Sequence, residues 1–207
     1  MRTITFIRHG FTEANFESRY VGARTDCPLS EEGRKLLLQN AASGLYPKVD
    51  TVFSGPMLRC KETAKLIYPD QTAALIGGLT EMDFGDFEGK NFTDLDGNPD
   101  FQTYIDSGGK TPFPGGEDRE TFVKRTMTAW KAFLSDFLRV SARDITAAII
   151  VNSGSLMAIA SEMAEPEREY FDWHVGPGEG RTFSMAPDGY LTYQGPAGPS
   201  ADRNAEE

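Results

Sequence analysis

Arg8 and His9 stand side by side after a short β-rich run, Thr3 to Ile7. Arg59 lies just beyond a second such run, Thr51 to Ser54, across the Gly55-Pro56 break. Asn152 follows a third, almost continuously apolar run from Ile145 to Val151, and opens the stretch Asn152-Ser153-Gly154-Ser155. A guanidinium presents a planar fork of donors that matches phosphate oxygens two at a time. Two guanidiniums beside an imidazole therefore suggest a pocket for a dianion. Gly154 and Ser155, at the start of a predicted helix, would add backbone N–H donors.

For these residues to meet, the runs before them must be neighbouring strands. The chain alternates strands and helices as that requires. Ser30-Glu31-Glu32 opens a helix that continues through Leu36, Leu37, Leu38 and Ala41; Ser is a good N-cap, and the acids suit the positive end of the helix dipole. A helix is expected from about 57 to 68, and a short strand over 73–76. From Asp118 to about Val140 the apolar set Phe122, Thr126, Trp130, Phe133, Phe137 recurs at spacings of four, four, three and four, which marks an amphipathic helix. The run Ile145 to Val151 has the pattern of a buried parallel strand, and a helix is expected from about 155 to 164. Thr182 to Met185 and Tyr190 to Tyr193, separated by Pro187-Asp188-Gly189, read as a hairpin. Alternation of this kind predicts an α/β three-layer sandwich with a mostly parallel central sheet. In such sheets ligands bind off the carboxyl ends of the strands, where Arg8, His9, Arg59 and Asn152 all fall. Residues 81–117 are rich in Gly, Pro, Asp and Asn and read as a long insertion capping that end. The domain is expected to span 1–195, with 196–207 a disordered tail.

Composition narrows the function. The 207 residues carry 21 Lys and Arg against 31 Asp and Glu, a formal net charge of −10. That excludes a general nucleic-acid binder and a polybasic membrane-surface protein. Two histidines, His9 and His174, and two cysteines, Cys27 and Cys60, are too few for a disulfide scaffold or an ordinary zinc site. Both cysteines read as small packing residues. The opening MRTITFIRHG is broken by Arg8 and His9 and is no signal h-region, and no stretch approaches a membrane span. The expected compartment is the cytoplasm. No metal and no cofactor is expected.

The segment Arg8-His9-Gly10-Phe11-Thr12-Glu13-Ala14-Asn15 resembles the R-H-G-x-T-x-x-N opening motif of the histidine phosphatase superfamily, whose fold is phosphoglycerate mutase-like. Three further blocks continue the resemblance. Ser54 to Ala64 looks like the family's arginine-bearing helix. Leu79 to Gly89 looks like its acid loop. Pro114-Gly115-Gly116-Glu117 precedes the long helix, with Arg125 in the usual place. The last segments look like those of small bacterial alpha-ribazole phosphatase-like members.

The resemblance implies that His9 is the nucleophile that becomes phosphohistidine, that Arg8 and Arg59 clamp the phosphoryl oxygens, and that Asn15 is a polar pocket residue. Glu81 sits where the family keeps its proton donor, with Asp83 and Glu88 as rivals. Imidazole is a good nucleophile when neutral, and covalent transfer splits one hard displacement into two easier ones. Fixed arginines supply charge stabilisation without a metal. The implied function is metal-independent hydrolysis of a small phosphorylated metabolite.

One departure stands out. The family carries a second histidine after the late buried strand, and here Asn152 takes its place; sliding the alignment by one would put Ser153 there. An Asn amide can donate one hydrogen bond but cannot become cationic. The chain is then an attenuated phosphatase, a silent phosphate-binding relative, or carries a deliberate substitution at 152. His174, with aromatic neighbours, is expected to pack rather than compensate.

Overall fold

The computed structural model describes residues 1–141 and 144–199. Seven strands form one sheet: β1 (Arg2–Arg8), β2 (Thr51–Ser54), β3 (Ala74–Leu75), β4 (Ile145–Val151), β5 (Ala164–Glu165), β6 (Gly180–Met185) and β7 (Leu191–Ala197). Their order is β3-β2-β4-β1-β6-β7-β5. Only the β1·β6 and β6·β7 pairings are antiparallel. The fold is therefore α/β with a mostly parallel central sheet, as expected.

β4 lies inside the sheet between β2 and β1, and its sequence shows why. Residues Ala147 to Val151 are completely or almost completely buried, so both faces of the strand need apolar side chains. Ile149 and Val151 face one layer, with Trp130 and Leu156. Ala148 and Ile150 face the other, with Leu37, Cys60 and Ala64. This period-two split is what a strand buried on both sides requires. The first layer is built by α5 (Arg119–Val140) and α6 (Ser153–Met163), the second by α2 (Glu31–Ala42) and α3 (Leu58–Ile67). A short helix, α1 (Glu13–Phe16), follows β1, and α4 (Pro99–Asp106) lies in the insertion. Trp130 and Trp173 are both fully buried.

Ser30 caps α2, its side chain accepting from Gly33 N. Phe133, expected on the buried stripe of α5, is only partly covered, and Met127 and Leu134 are buried beside the stripe instead. α6 starts at Ser153, two residues earlier than expected, because Asn152 takes the extended N-cap conformation directly after β4. The expected boundary at 195 is corrected: β7 runs to Ala197, with Pro196 and Ala197 paired opposite Arg181 and Gly180. Proline is tolerated there because β5 pairs with β7 only at Leu191 and Thr192, which leaves Pro196 at a free sheet edge among the described residues. Residues 200–207 of the expected tail lie outside the described residues.

Within the 81–117 segment, Met82, Phe87, Leu95, Phe101 and Phe113 form a small core of their own against Phe122 and Ala158. Among the described residues no helix is long and apolar enough to cross a membrane.

Candidate active site

Parallel register brings the site together. Arg8 pairs with Val151 across β1 and β4, and Ser54 pairs with Ile150 across β2 and β4. The residues just past these positions therefore emerge at one level. His9 N donates to Val151 O at 3.0 Å, and Gly55 N donates to Ile150 O at 2.8 Å. A cavity of about 290 Å³ opens there. Of the predicted site residues, Arg8, His9, Asn15, Arg59, Glu81 and Ser153 line it. Asn152 does not; it is fully buried one layer behind the wall.

His9 is buried, and its Nδ1 lies 2.8 Å from the Gly10 carbonyl. A carbonyl only accepts, so Nδ1 carries the proton and Nε2 keeps a lone pair. Burial holds this imidazole well below its ordinary pKa, with Arg59 and Arg8 pushing the same way. The ring is therefore neutral at neutral pH, and Nε2 takes part in none of the described hydrogen bonds.

Arg59 is 1% exposed, yet its hydrogen bonds all go to neutral oxygens. Nε donates to Asn152 Oδ1 at 2.9 Å, Nη1 to Thr25 O at 3.0 Å, and Nη2 to Gly22 O at 3.4 Å. Arg8 Nη1 donates to Val175 O at 2.8 Å. Neither guanidinium forms an ion pair with an acid among the described residues, so both charges are left for an incoming anion.

Glu81 is buried, and burial raises its pKa against the opposing effects of its backbone hydrogen bonds and both arginines. Met82 N donates to Oε1 at 2.9 Å and Gly154 N to Oε2 at 3.3 Å. The rivals are engaged elsewhere. Asp83 pairs with Arg24 at 2.8 Å, and Glu88 accepts from Arg24 N and Thr25 Oγ1. Gly154 corrects one expectation: its N–H serves the Glu81 carboxylate rather than an anion, because α6 points its first turn at that side chain.

Asn15 uses Oδ1 in a capping box, accepting from Thr12 N at 3.0 Å and Thr12 Oγ1 at 3.1 Å, which fixes its place on the cavity wall. Ser153 Oγ and Asn152 Nδ2 are buried without a hydrogen-bond partner. His174 corrects another expectation. It is exposed on the cavity rim rather than packed, with Nε2 3.4 Å from Arg8 Nη1. Cys60 is fully buried, and burial pushes its thiol up to about 12; Cys27 is half-buried.

Sequence reasoning missed the outer wall: Tyr104, Arg119, Met157, Tyr170 and Phe171. These come from α4, α5, α6 and the turn at Tyr170–Trp173, and no single motif joins them. Arg125 was visible in sequence, and its work is now clear. It forks onto Glu117 at 2.6 and 2.9 Å and donates to Glu81 O at 2.7 Å, holding the backbone beneath that carboxyl.

The chain is 31% identical over 163 residues to "Putative phosphoserine phosphatase 2" of Hydrogenobacter thermophilus, covering 77% of each. Its fold is similar to that of the alpha-ribazole phosphatase from Shigella flexneri, with a TM-score of 0.76, 21% identity, and 93% and 94% of the two chains covered. It is also similar to a phosphoserine phosphatase mutant from Entamoeba histolytica in complex with phosphoserine, with a TM-score of 0.74, 23% identity, and 95% and 96% covered. The family model described as histidine phosphatase superfamily (branch 1) matches residues 4–190. With a neutral histidine between two unneutralised arginines at the carboxyl edge of its sheet, this chain belongs to the histidine phosphatase superfamily.

Proposed function

We propose that the protein hydrolyses the phosphomonoester of a small phosphorylated metabolite through a phosphohistidine at His9, without a metal. The observation that carries this is the 2.8 Å contact of His9 Nδ1 with the Gly10 carbonyl: it assigns the proton to Nδ1 and leaves Nε2 the lone pair of a neutral imidazole on the cavity wall. Nε2 attacks phosphorus while the ester P–O bond breaks. Glu81, whose protonated form burial favours, gives its proton to the departing oxygen. Water then attacks phosphorus, Glu81 takes back a proton, and the N–P bond breaks to release phosphate and neutral His9. Arg8 and Arg59 hold the phosphoryl oxygens throughout, which supports a metal-independent reaction. Asn15 and Ser153 Oγ complete the phosphate subsite. Asn152 keeps Arg59 oriented, and its neutral amide stands where relatives of this family carry a histidine. The 81–117 segment acts as the cap that closes the cavity over a substrate of matching size.

Asn152 also supports a second reading, a silent phosphate-binding protein, because a neutral amide stabilises developing charge less than an imidazolium does. Turnover of an aryl phosphate by the wild type, His9→Ala and Asn152→His separates the two. The hydrolase reading expects wild-type turnover that His9→Ala abolishes. No wild-type turnover, with strong rescue by Asn152→His, sinks it in favour of the silent protein.

A further inference from the structure

Three arginines in this cavity lack an acidic ion-pair partner among the described residues. Two of them, Arg8 and Arg59, are the phosphoryl clamp. The third is Arg119, the first residue of α5, on the far wall. The contrast with its neighbours is informative. Arg19 also lines the cavity, but Glu17 and Asp94 pair with it at 2.5 and 2.6 Å. Arg125 is forked onto Glu117, and Arg24 pairs with Asp83 through Nε. Arg119 thus carries a charge on the cavity wall that no acid among the described residues neutralises.

Arg119 is also held in place. Nη2 donates to Gly108 O at 3.0 Å and to Gly109 O at 3.1 Å. Those two carbonyls converge because both glycines adopt positive φ, 64° and 73°, which other residues resist. The guanidinium lies over Phe171 at 4.7 Å and Tyr170 at 5.3 Å from the ring centroids. Carbonyls and aromatic faces orient the cation without cancelling its charge. Nε and Nη1 are not used in the described hydrogen bonds. The other charged or titratable groups facing the same cavity are Arg8, His9, Arg19, Arg59, Glu81, His174 and the phenols of Tyr20, Tyr104 and Tyr170, with Glu81 accepting from Met82 N and Gly154 N.

We infer that Arg119 is a specificity residue that binds a second anionic group, a carboxylate or a second phosphate, on the same small phosphomonoester whose phosphoryl group sits at His9. This rests on the hydrolase reading for the placement of the phosphoryl group. A cavity of about 290 Å³ suits a phosphomonoester with a short spacer between the two anions.

The test is equilibrium binding by calorimetry to the His9→Ala protein, which cannot form phosphohistidine. Three probes are compared: phosphoglycolate, ethane-1,2-diol bisphosphate, and ethyl phosphate, which lacks a second anion. At least one dianchored probe should bind about tenfold tighter than ethyl phosphate. The better of the two identifies carboxylate or phosphate as the second group. Adding Arg119→Gln should bring that ratio close to one. Phe171→Leu, at an exposed position, should reduce it by about two- to fivefold through loss of the stacking face, and reports even where Arg119→Gln fails to fold. A ratio near one in His9→Ala, or a ratio that survives both substitutions, overturns the inference. Because the readout is binding, absence of aryl phosphate turnover sinks the hydrolase reading without touching this result.

Discussion

Arg59 Nε donates to Asn152 Oδ1 at 2.9 Å, and this one bond decides which way the Asn152 amide faces. Nε can only donate, so the oxygen must meet it and Nδ2 must point away. Nδ2 is left buried and unpartnered. On the proposed mechanism Asn152 is thus first a positioning residue for Arg59. A histidine here could offer Arg59 an acceptor only through a ring nitrogen, so the asparagine is not a passive replacement.

Asn152→Asp tests that role. The carboxylate would accept from Arg59 Nε equally well, but it would neutralise the guanidinium and repel the dianion. We expect kcat on an aryl phosphate to fall by about 10² to 10³, comparable to loss of a transition-state donor. Asn152→Ala should instead cost about 2 kcal/mol of stability, because Arg59 Nε is left buried without an acceptor. Chemical denaturation and steady-state kinetics distinguish the two effects. Equal activity in Asn152→Asp and wild type would remove Asn152 from the clamp.

The pH dependence follows from two opposite shifts. His9 is held well below 6.5, so its neutral form persists as pH falls. Glu81 is raised above 4.5, so its proton is present below that value and is lost as pH rises through the higher folded pKa. For an alkyl phosphate, kcat/KM relative to Glu81→Gln should therefore decline with rising pH above 4.5. The substrate's own ionisation is the same for both proteins and drops out of the ratio. A ratio flat from pH 4 to 8 would exclude Glu81 as the proton donor.

Leaving-group chemistry gives an independent check on Glu81. An alkoxide needs a proton far more than a nitrophenolate does. Glu81→Gln should cost about 10² to 10⁴ on an alkyl phosphate and clearly less on 4-nitrophenyl phosphate. Equal losses on both substrates would point to a structural effect instead.

Arg125 and Glu117 carry a stability prediction. The fork at 2.6 and 2.9 Å is mostly shielded from water, and Arg125 also reaches Thr80 Oγ1 at 2.9 Å and Glu81 O at 2.7 Å. Arg125→Ala should destabilise by about 2 kcal/mol in urea unfolding, since partners lose their donors in a partly buried site. Arg125→Lys keeps the charge but not the fork, and should recover only part of this. The kcat should fall in both, because the backbone beneath Glu81 loses its anchor.

Much of this site could be read from the sequence because three strand ends carry it. The apolar run of β4 and the motif after β1 place Arg8, His9 and Asn152 with no knowledge of the rest of the chain. Arg59 follows from the break after β2. Glu81 was legible only beside its rivals. Asp83 and Glu88 are the same chemistry a few residues away, and only burial and partners separate them. Arg119 was not legible, since in sequence it is one more charged residue in the first turn of a helix. Its significance lies in the lack of an acid opposite it and in the two glycine carbonyls that seat it. His174 was misjudged because its aromatic neighbours suggested packing. Trp173 does bury, but the chain turns there and leaves His174 on the rim.

Gly154 offers the cleanest separation of stability from catalysis. It lies in the first turn of α6, where its N–H donates to Glu81 Oε2 at 3.3 Å. A Cβ added here would overlap Glu81 Oε1 and approach Phe122 Cζ at 3.1 Å. The Glu81 carboxyl is the flexible end of a side chain and can move aside, at the cost of its bonds from Met82 N and Gly154 N and a small shift of the buried Phe122 ring. Alanine also favours the helix over glycine, by up to about 1 kcal/mol in a helix interior. The two effects partly offset, so Gly154→Ala should fold and lower the melting temperature only modestly. It should nonetheless lose most of its activity on alkyl phosphates, because the proton donor is displaced from the departing oxygen. The loss should be smaller on 4-nitrophenyl phosphate, matching the pattern expected for Glu81→Gln. Activity lost equally on both substrates, together with a large drop in melting temperature, would show that the substitution disturbs α6 itself and not the position of Glu81.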